Sequence, residues 1–282
     1  MKLQKAERKK VFLRLNLSAP SGAGKTYSAL LMAHGLTDDW SKVAVIDTEN
    51  GSASLYSHLG DFNVIDLVPP FSPERYSQAI QTCIDGGMEV IIIDSSSHEW
   101  SGPGGCLEMN DKLAAAKYKG NTWSAWSETT PRHEAFVNKV LHAAAHVITC
   151  TRSKTETVMG DDKKVKKVGM KDIQRDGWEY ELTVSLSIDR DTHMATASKD
   201  RTGMFSNADP FVITQQTGKM IRDWCEQGKE RPEDPMQFVL KKVREATSVD
   251  ELVQIKAGLT NEQVTDKKFI AEATRRYKEL SL

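Results

Sequence analysis

The 282-residue chain carries 38 basic and 39 acidic side chains, a net charge of −1, and 39% hydrophobic residues, the make-up of an ordinary globular protein. That balance excludes bulk electrostatic attraction to nucleic acid, so any such binding must come from local patches. The basic start MKLQKAERKK lacks an apolar stretch, and no segment approaches the ~18 apolar residues of a membrane span, so the expectation is a cytoplasmic protein without a membrane partner.

The first predicted element is a strand over Val11 to Leu17, followed by APSGAGKT, Ala19 to Thr26, and a helix over Tyr27 to Leu36. A loop of this composition between a strand and a helix is a phosphate cradle, because near-side-chain-free residues let backbone N–H groups approach a polyphosphate. Ser21, Gly22, Ala23 and Gly24 form the wrap, and Lys25 reaches the outer phosphates. The Thr26 hydroxyl is placed to ligate Mg²⁺, Tyr27 follows it, and the helix N-terminus adds partial positive charge. Ala19 stands where the strict pattern has glycine, at the position that only opens the turn. The cofactors expected are ATP and Mg²⁺.

Lys42 to Asp47 and Phe62 to Leu67 read as further strands. Ser72 and Pro73 open a helix to about Asp85, stopped by Gly86 and Gly87. Val90 to Ile93 is a continuous apolar run ending in Asp94, as in a buried parallel strand with a carboxylate at its C-terminal end; after a phosphate loop this reads as the second metal-supporting residue. Thr130 and Pro131 are expected to open a helix carrying Phe136, Val140 and Leu141 inward, ahead of a strand at His146 to Thr151. Glu181 to Ile188 and His193 to Ser198 read as a hairpin across the polar turn Asp189 to Thr192. The alternation predicts an α/β fold, doubly wound around a mostly parallel sheet with a C-terminal hairpin. GKERPEDP marks a linker at 228–235, dividing a core at 1–227 from a small helical appendage at 236–282. In that appendage Asp234 with Pro235, Ser248 with Glu251, and Thr260 with Gln263 are start signals, and Phe269, Ala273, Tyr277 and Leu280 form one apolar face.

Cys83, Cys106, Cys150 and Cys225 show no CxxC or Cys/His ligand spacing and read as free thiols. His142 and His146 are i, i+4 partners, a spacing that can bind metal on a helix, but without an evident third ligand they read as structural or surface residues.

Glu49, two residues past the strand ending at Asp47, can polarise a water attacking a phosphate, or can simply be a turn residue before Gly51. The stretch VIDTENGSASLYSHLG resembles the RecA-like ATPases, whose corresponding strand ends in an Asp, a small residue and a catalytic Glu. By that resemblance Glu49 is the general base and Asp94 the Walker B carboxylate. SKDRTG, Ser198 to Gly203, adds Lys199 and Arg201, which by the same resemblance reach a neighbouring subunit's ATP site as trans-acting fingers; the alternative is a solvated basic strand end. The ordered set of phosphate loop, IDTENGS, IIIDSSSHEW, QRDGWEYE and KDR is similar to phage-type RecA-core ATPases of single-strand annealing and recombination, over about Leu15 to Phe205.

That resemblance puts DNA-binding loops after the central strands. One candidate runs from Ser95 to about Thr129 with Trp100, Lys117, Lys119, Trp123 and Trp126, where Trp beside Lys suits stacking on unpaired bases. The other runs from Arg152 to Arg175 with Lys154, Lys163, Lys164, Lys166 and Lys167, suited to phosphates. Core tryptophans and a solvated charged hairpin are the alternatives. The leading expectation is an ATP-dependent, single-stranded-DNA-binding recombinase forming a homo-oligomer, filament or ring, with a single-strand-binding protein as a candidate partner. A nucleotide-switched DNA-binding scaffold and a small-molecule P-loop kinase are the competing readings.

Overall fold

The computed structural model describes residues 5–159, 165–230 and 235–281. Contacts divide the chain into two units, Lys10–Gln227 and a second that groups the segment up to Lys9 with Gly228–Leu282.

The larger unit is a mixed α/β structure built on a mostly parallel sheet, consistent with a P-loop NTPase fold. In chain order its strands are β1 (Arg14–Ala19), β2 (Val43–Asp47), β3 (Asn63–Asp66), β4 (Val90–Asp94), β5 (His146–Met159), β6 (Val165–Asp172), β7 (Val184–Ile188) and β8 (Ala195–Asp200). The order across the sheet is β3-β2-β4-β5-β1-β7-β8, parallel up to β7, with β8 antiparallel at the edge and β6 paired antiparallel to β5. The helices are α1 (Lys25–Thr37), α2 (Pro73–Asp85), α3 (Ser97–Ser101), α4 (Cys106–Lys117), α5 (Thr122–Leu141), α6 (Trp178–Glu181) and α7 (Gln215–Cys225).

The apolar runs are continuous because both sheet faces are covered. Val43, Val45, Val90 and Ile92 point into one core with Leu15 and Leu17, whereas Ala44, Ile46, Ile91 and Ile93 point into the other with Tyr76 and Phe136. Alternate residues of a single strand therefore serve opposite cores, and truncating any of these isoleucines to alanine costs about 2–5 kcal/mol. On the first face α1 and α7 approach closely at Gly35 and Gly218, where a Cβ on either would overlap the other helix's backbone. The second face of β1 is polar: Arg14 donates to the carbonyls of Leu13, Leu141, Ala143 and Ala145, and Asn16 bonds to Thr149 and Thr151.

Two expected features are corrected. Pro131 does not open a helix; it lies inside α5, which Asn121 caps by accepting from the Ser124 N–H, 3.1 Å. Interior proline costs about 3 kcal/mol, offset here by burial of Ala125, Thr129, His133, Phe136 and Val140 along the same helix. Consequently Ser95 to Thr129 is not an open loop but mostly helix, α3, α4 and the first turns of α5.

The second unit contains α8 (Pro235–Glu245), α9 (Val249–Ala257), α10 (Asn261–Val264) and α11 (Lys267–Leu280) around Val239, Leu240, Val243, Leu252 and Phe269. Ser248 caps α9 as expected, but Glu251 bonds to the Thr247 N–H at 2.6 Å. Asp234 lies outside the described residues. Ala273 and Leu280 pack on this core with Phe269, while Tyr277 is 53% exposed and leaves the expected apolar face. Among the described residues no helix is long and apolar enough to cross a membrane.

Candidate functional site: a phosphate loop and the groove beside it

The loop after β1 turns through Gly22 and Gly24, at φ 82° and 88°, a left-handed conformation in which other residues are strained. Gly24 caps α1, so Lys25 and Thr26 are its first two residues and the helix N-terminus opens toward the loop. Lys25 Nζ donates to the Ala19 and Pro20 carbonyls at 3.0 Å each. Thr26 Oγ1 lies 2.5 Å from Asp94 Oδ2, although the two are 68 residues apart. Tyr27 is partly exposed on the next step of the helix, its ring 5.9 Å from that of Tyr56.

Parallel pairing of β2 with β4 sets Asp47 level with Asp94. Asp47 is consumed by structure, accepting the Glu49 and Ala53 N–H groups at 2.6 and 2.7 Å, and this turn aims Glu49 off the strand end. Glu49 Oε1 receives both Nε and Nη2 of Arg152, each at 2.9 Å. Thr48 Oγ1 accepts the Ser95 N–H and lies 2.8 Å from His98 Nδ1, while Ser97 Oγ accepts the Arg152 N–H. Burial pushes the fully enclosed Asp94 carboxyl up to about 6, against the lowering pull of the Thr26 hydrogen bond. Burial, and then the Arg152 charge, lower the His98 imidazole.

A hydroxyl and a carboxylate in contact offer the hard oxygen donors Mg²⁺ prefers, beside an ammonium group, a helix N-terminus and left-handed glycines. These residues fit a magnesium nucleotide. A family model described as an AAA domain matches residues 12–213, well over half the chain. The chain belongs to the AAA domain family. No curated protein matches it. Membership makes this a P-loop domain of the nucleotide-hydrolysing kind, whose members generally take ATP with Mg²⁺.

Beyond the AAA domain's phosphate loop, several expected residues converge on an open groove of about 890 Å³ lined by Trp100, Trp123, Trp126, Lys154, Lys171 and Arg175. Trp100 and Trp126 are stacked, with centroids 5.5 Å apart and planes at 19°, and the Arg175 guanidinium sits 6.0 Å from the Trp126 ring. Trp123 is 86% exposed. Lys117 does not join them; it is paired with Glu128 at 2.9 Å, and Lys119 sits in the α4–α5 turn at φ 51°. Arg152, expected on the DNA side, instead holds Glu49. Lys163 and Lys164 lie outside the described residues. The backbones of Lys166 and Lys167, in β6, pair with Val158 and Thr157 of β5, and the two lysine side chains also lie outside what is described.

Lys199 donates to the Glu179 and Tyr180 carbonyls and Arg201 to that of Tyr180, so within one chain both cations close the end of α6 rather than meet the phosphate loop. His142 bonds to Asn138 and His146 accepts the Leu13 N–H, which separates that pair into two structural roles.

Three residues take roles that the sequence did not indicate. Asp172 at the end of β6 accepts from Asn16, Ser18 and Thr151, tying the β5–β6 hairpin to the strand that enters the phosphate loop. His193, at φ 57° in the β7–β8 turn, places Nδ1 3.1 Å from the Ala23 carbonyl. His98 stacks on Phe71, 5.0 Å between centroids. A histidine in a polar turn or an aspartate ending a charged hairpin carries no periodicity that betrays a long-range partner; the polar alternation of Asn16 and Ser18 is the local signal from which a polar face of β1 could be read.

Proposed function

We propose that this AAA domain is a RecA-like ATPase that binds single-stranded DNA and promotes strand annealing or recombination, with hydrolysis governed by DNA. The observation that carries the reading is the path of β5. Arg152 grips Glu49, and two residues on, on the same strand face, Lys154 lines the groove with the stacked tryptophans. A ligand drawn into the groove therefore pulls on the strand that holds the carboxylate.

The groove suits a flexible polyanion with exposed rings. Trp123, Trp126 and Trp100 offer faces worth about 1–3 kcal/mol per stacked base, and Lys154 and Arg175 supply cations for the backbone, while Lys171 is paired with Asp176 at 2.8 Å. At the nucleotide, Mg-ATP supplies the γ-phosphoryl group and a cation that neutralises its charge. Lys25 and the Ser21–Gly24 backbone orient the phosphates, Thr26 and Asp94 hold the cation or its water, and Glu49 takes the proton of the attacking water. Both Arg152 contacts fall on Oε1 of Glu49, so the base acts through Oε2 or after Arg152 has shifted. In this reading Lys199 and Arg201 leave the α6 carbonyls on assembly and complete a neighbour's site, as two cations spaced i, i+2 at the end of β8 permit.

Steady-state ATP hydrolysis, measured with and without single-stranded DNA over a range of protein concentrations, tests this, with Lys25→Ala and Glu49→Gln as controls. Stimulation by DNA that rises more than linearly with protein and vanishes in both variants is expected. Hydrolysis indifferent to DNA and to concentration overturns it.

A further inference from the structure

Behind the groove, three helices meet at a buried polar triangle that neither nucleotide nor DNA chemistry uses. Glu99 of α3, Cys106 at the first residue of α4 and His133 in mid-α5 are all buried, Glu99 and Cys106 with no exposure. Glu99 Oε1 lies 3.1 Å from Cys106 Sγ and 3.0 Å from His133 Nδ1, and Sγ and Nδ1 are 3.9 Å apart. One carboxylate oxygen, one sulfur and one imidazole nitrogen are thus mutual neighbours, drawn from positions that share no ligand spacing in the sequence.

The donor set and the spacing fit one ion. With metal–nitrogen and metal–oxygen bonds near 2.0 Å and metal–sulfur bonds near 2.3 Å, neighbouring donors around zinc fall roughly 3–4 Å apart. Charge fits as well. A divalent cation with a carboxylate, a thiolate and a neutral imidazole sums to zero. Cys106 is the first residue of a 12-residue helix, but burial and the adjacent Glu99 carboxylate push its thiol well up, so it is the cation that would hold the sulfur as a thiolate. Gln174 completes the surroundings, its Nε2 3.0 Å from the Ser96 carbonyl and 3.5 Å from Glu99 Oε2.

We propose that Glu99, Cys106 and His133 bind one structural Zn²⁺, with a fourth position open to a small ligand such as water. The ion would cross-link α3, which begins at Ser97 just past Asp94 and two intervening serines, to α4 and α5. It would thereby set Trp100, edge-on to His133 with centroids 5.4 Å apart, and through it the stacked Trp126. The inference concerns this cluster alone and stands whether or not the groove takes DNA.

The test is metal content of the full-length chain purified from zinc-supplemented medium, read by elemental analysis and intact native mass. It is joined by reloading with Co²⁺ and recording near-ultraviolet absorption. About one zinc per chain and a thiolate-to-cobalt band are expected in the wild type and in Cys83→Ser, a buried thiol outside the cluster, with occupancy falling at least ~10-fold in Cys106→Ser and His133→Asn. Oxygen donors at Thr26 and Asp94 give no thiolate band, so the wild-type spectrum decides the matter even where a variant does not fold. A wild-type chain without zinc, without a cobalt band, and melting at one temperature with zinc or with chelator would identify the triangle as a hydrogen-bonded network. Full zinc retention by a folded Cys106→Ser would overturn the proposal equally.

Discussion

The phosphate loop and the tryptophan groove sit on the same sheet but are built in different ways. The loop is made from contiguous residues, Ala19 to Thr26, whose conformation is fixed by left-handed glycines and a helix start, with Asp94, Glu49 and His193 brought in from elsewhere. The groove draws on α3, α5, β5, β6 and the segment after it, and owes its form to side chains stacked across helices. In the first, Lys25 and Asp94 are buried and Thr26 is already in hydrogen-bond contact with Asp94; the second is open and presents an indole that is 86% exposed. A site built locally tolerates little change in its own residues, whereas one assembled from distant elements loses affinity piecemeal.

The largest effect that sharpens this contrast is expected for Glu49→Gln, which should slow ATP hydrolysis by about 10²- to 10⁴-fold while nucleotide still binds, measured by single-turnover kinetics and equilibrium binding. Retained turnover would show that Glu49 is only the partner of Arg152. On the groove side, Trp126→Ala should weaken single-stranded DNA binding by about 1–3 kcal/mol, roughly 5- to 150-fold, in a fluorescence titration. No change there would mean that its stacking on Trp100 serves packing alone.

Asp94→Asn separates stability from chemistry. Burial raises the carboxyl from 3.8 to about 6, so the folded chain binds more protons than the unfolded one between those values. Stability accordingly falls as pH rises through that window, and the cost is fully present at neutral pH. Asparagine removes the charge, and the metal-free variant should be more stable at pH 7 by roughly 1–3 kcal/mol while magnesium-dependent nucleotide binding is lost. Equal denaturation midpoints at pH 7 for variant and wild type would contradict this. The smallest effect is expected for Lys154→Ala, which should lower the slope of DNA affinity against salt by about 1 without abolishing binding. An unchanged slope would move Lys154 out of the phosphate path.

Much of the nucleotide side could be read from residues in order. A glycine-rich loop between a strand and a helix, and apolar runs ending in Asp47 and Asp94, are local signals, because backbone approach to phosphate and burial on two faces each restrict which residues can stand there. The β7–β8 hairpin was legible for the same reason, from a polar turn between two alternating stretches. Pro131 reads as a helix start because a start signal and an interior proline look alike until the burial of Ala125 and Phe136 on one helix decides between them.

What the sequence determined by itself is therefore the class of chemistry: a phosphate-binding loop, its lysine and threonine, and the carboxylates that end neighbouring strands. Only the tertiary structure decided the pairings: Thr26 with Asp94, Arg152 with Glu49 rather than with a ligand, Asp172 with the strand entering the loop, and Glu99 with Cys106 and His133. The physical reason is range. Backbone conformation and burial periodicity act over a few residues and leave a pattern in the chain, whereas a hydrogen bond or ion pair across 68 or 103 residues depends on sheet order and register, which no local stretch encodes.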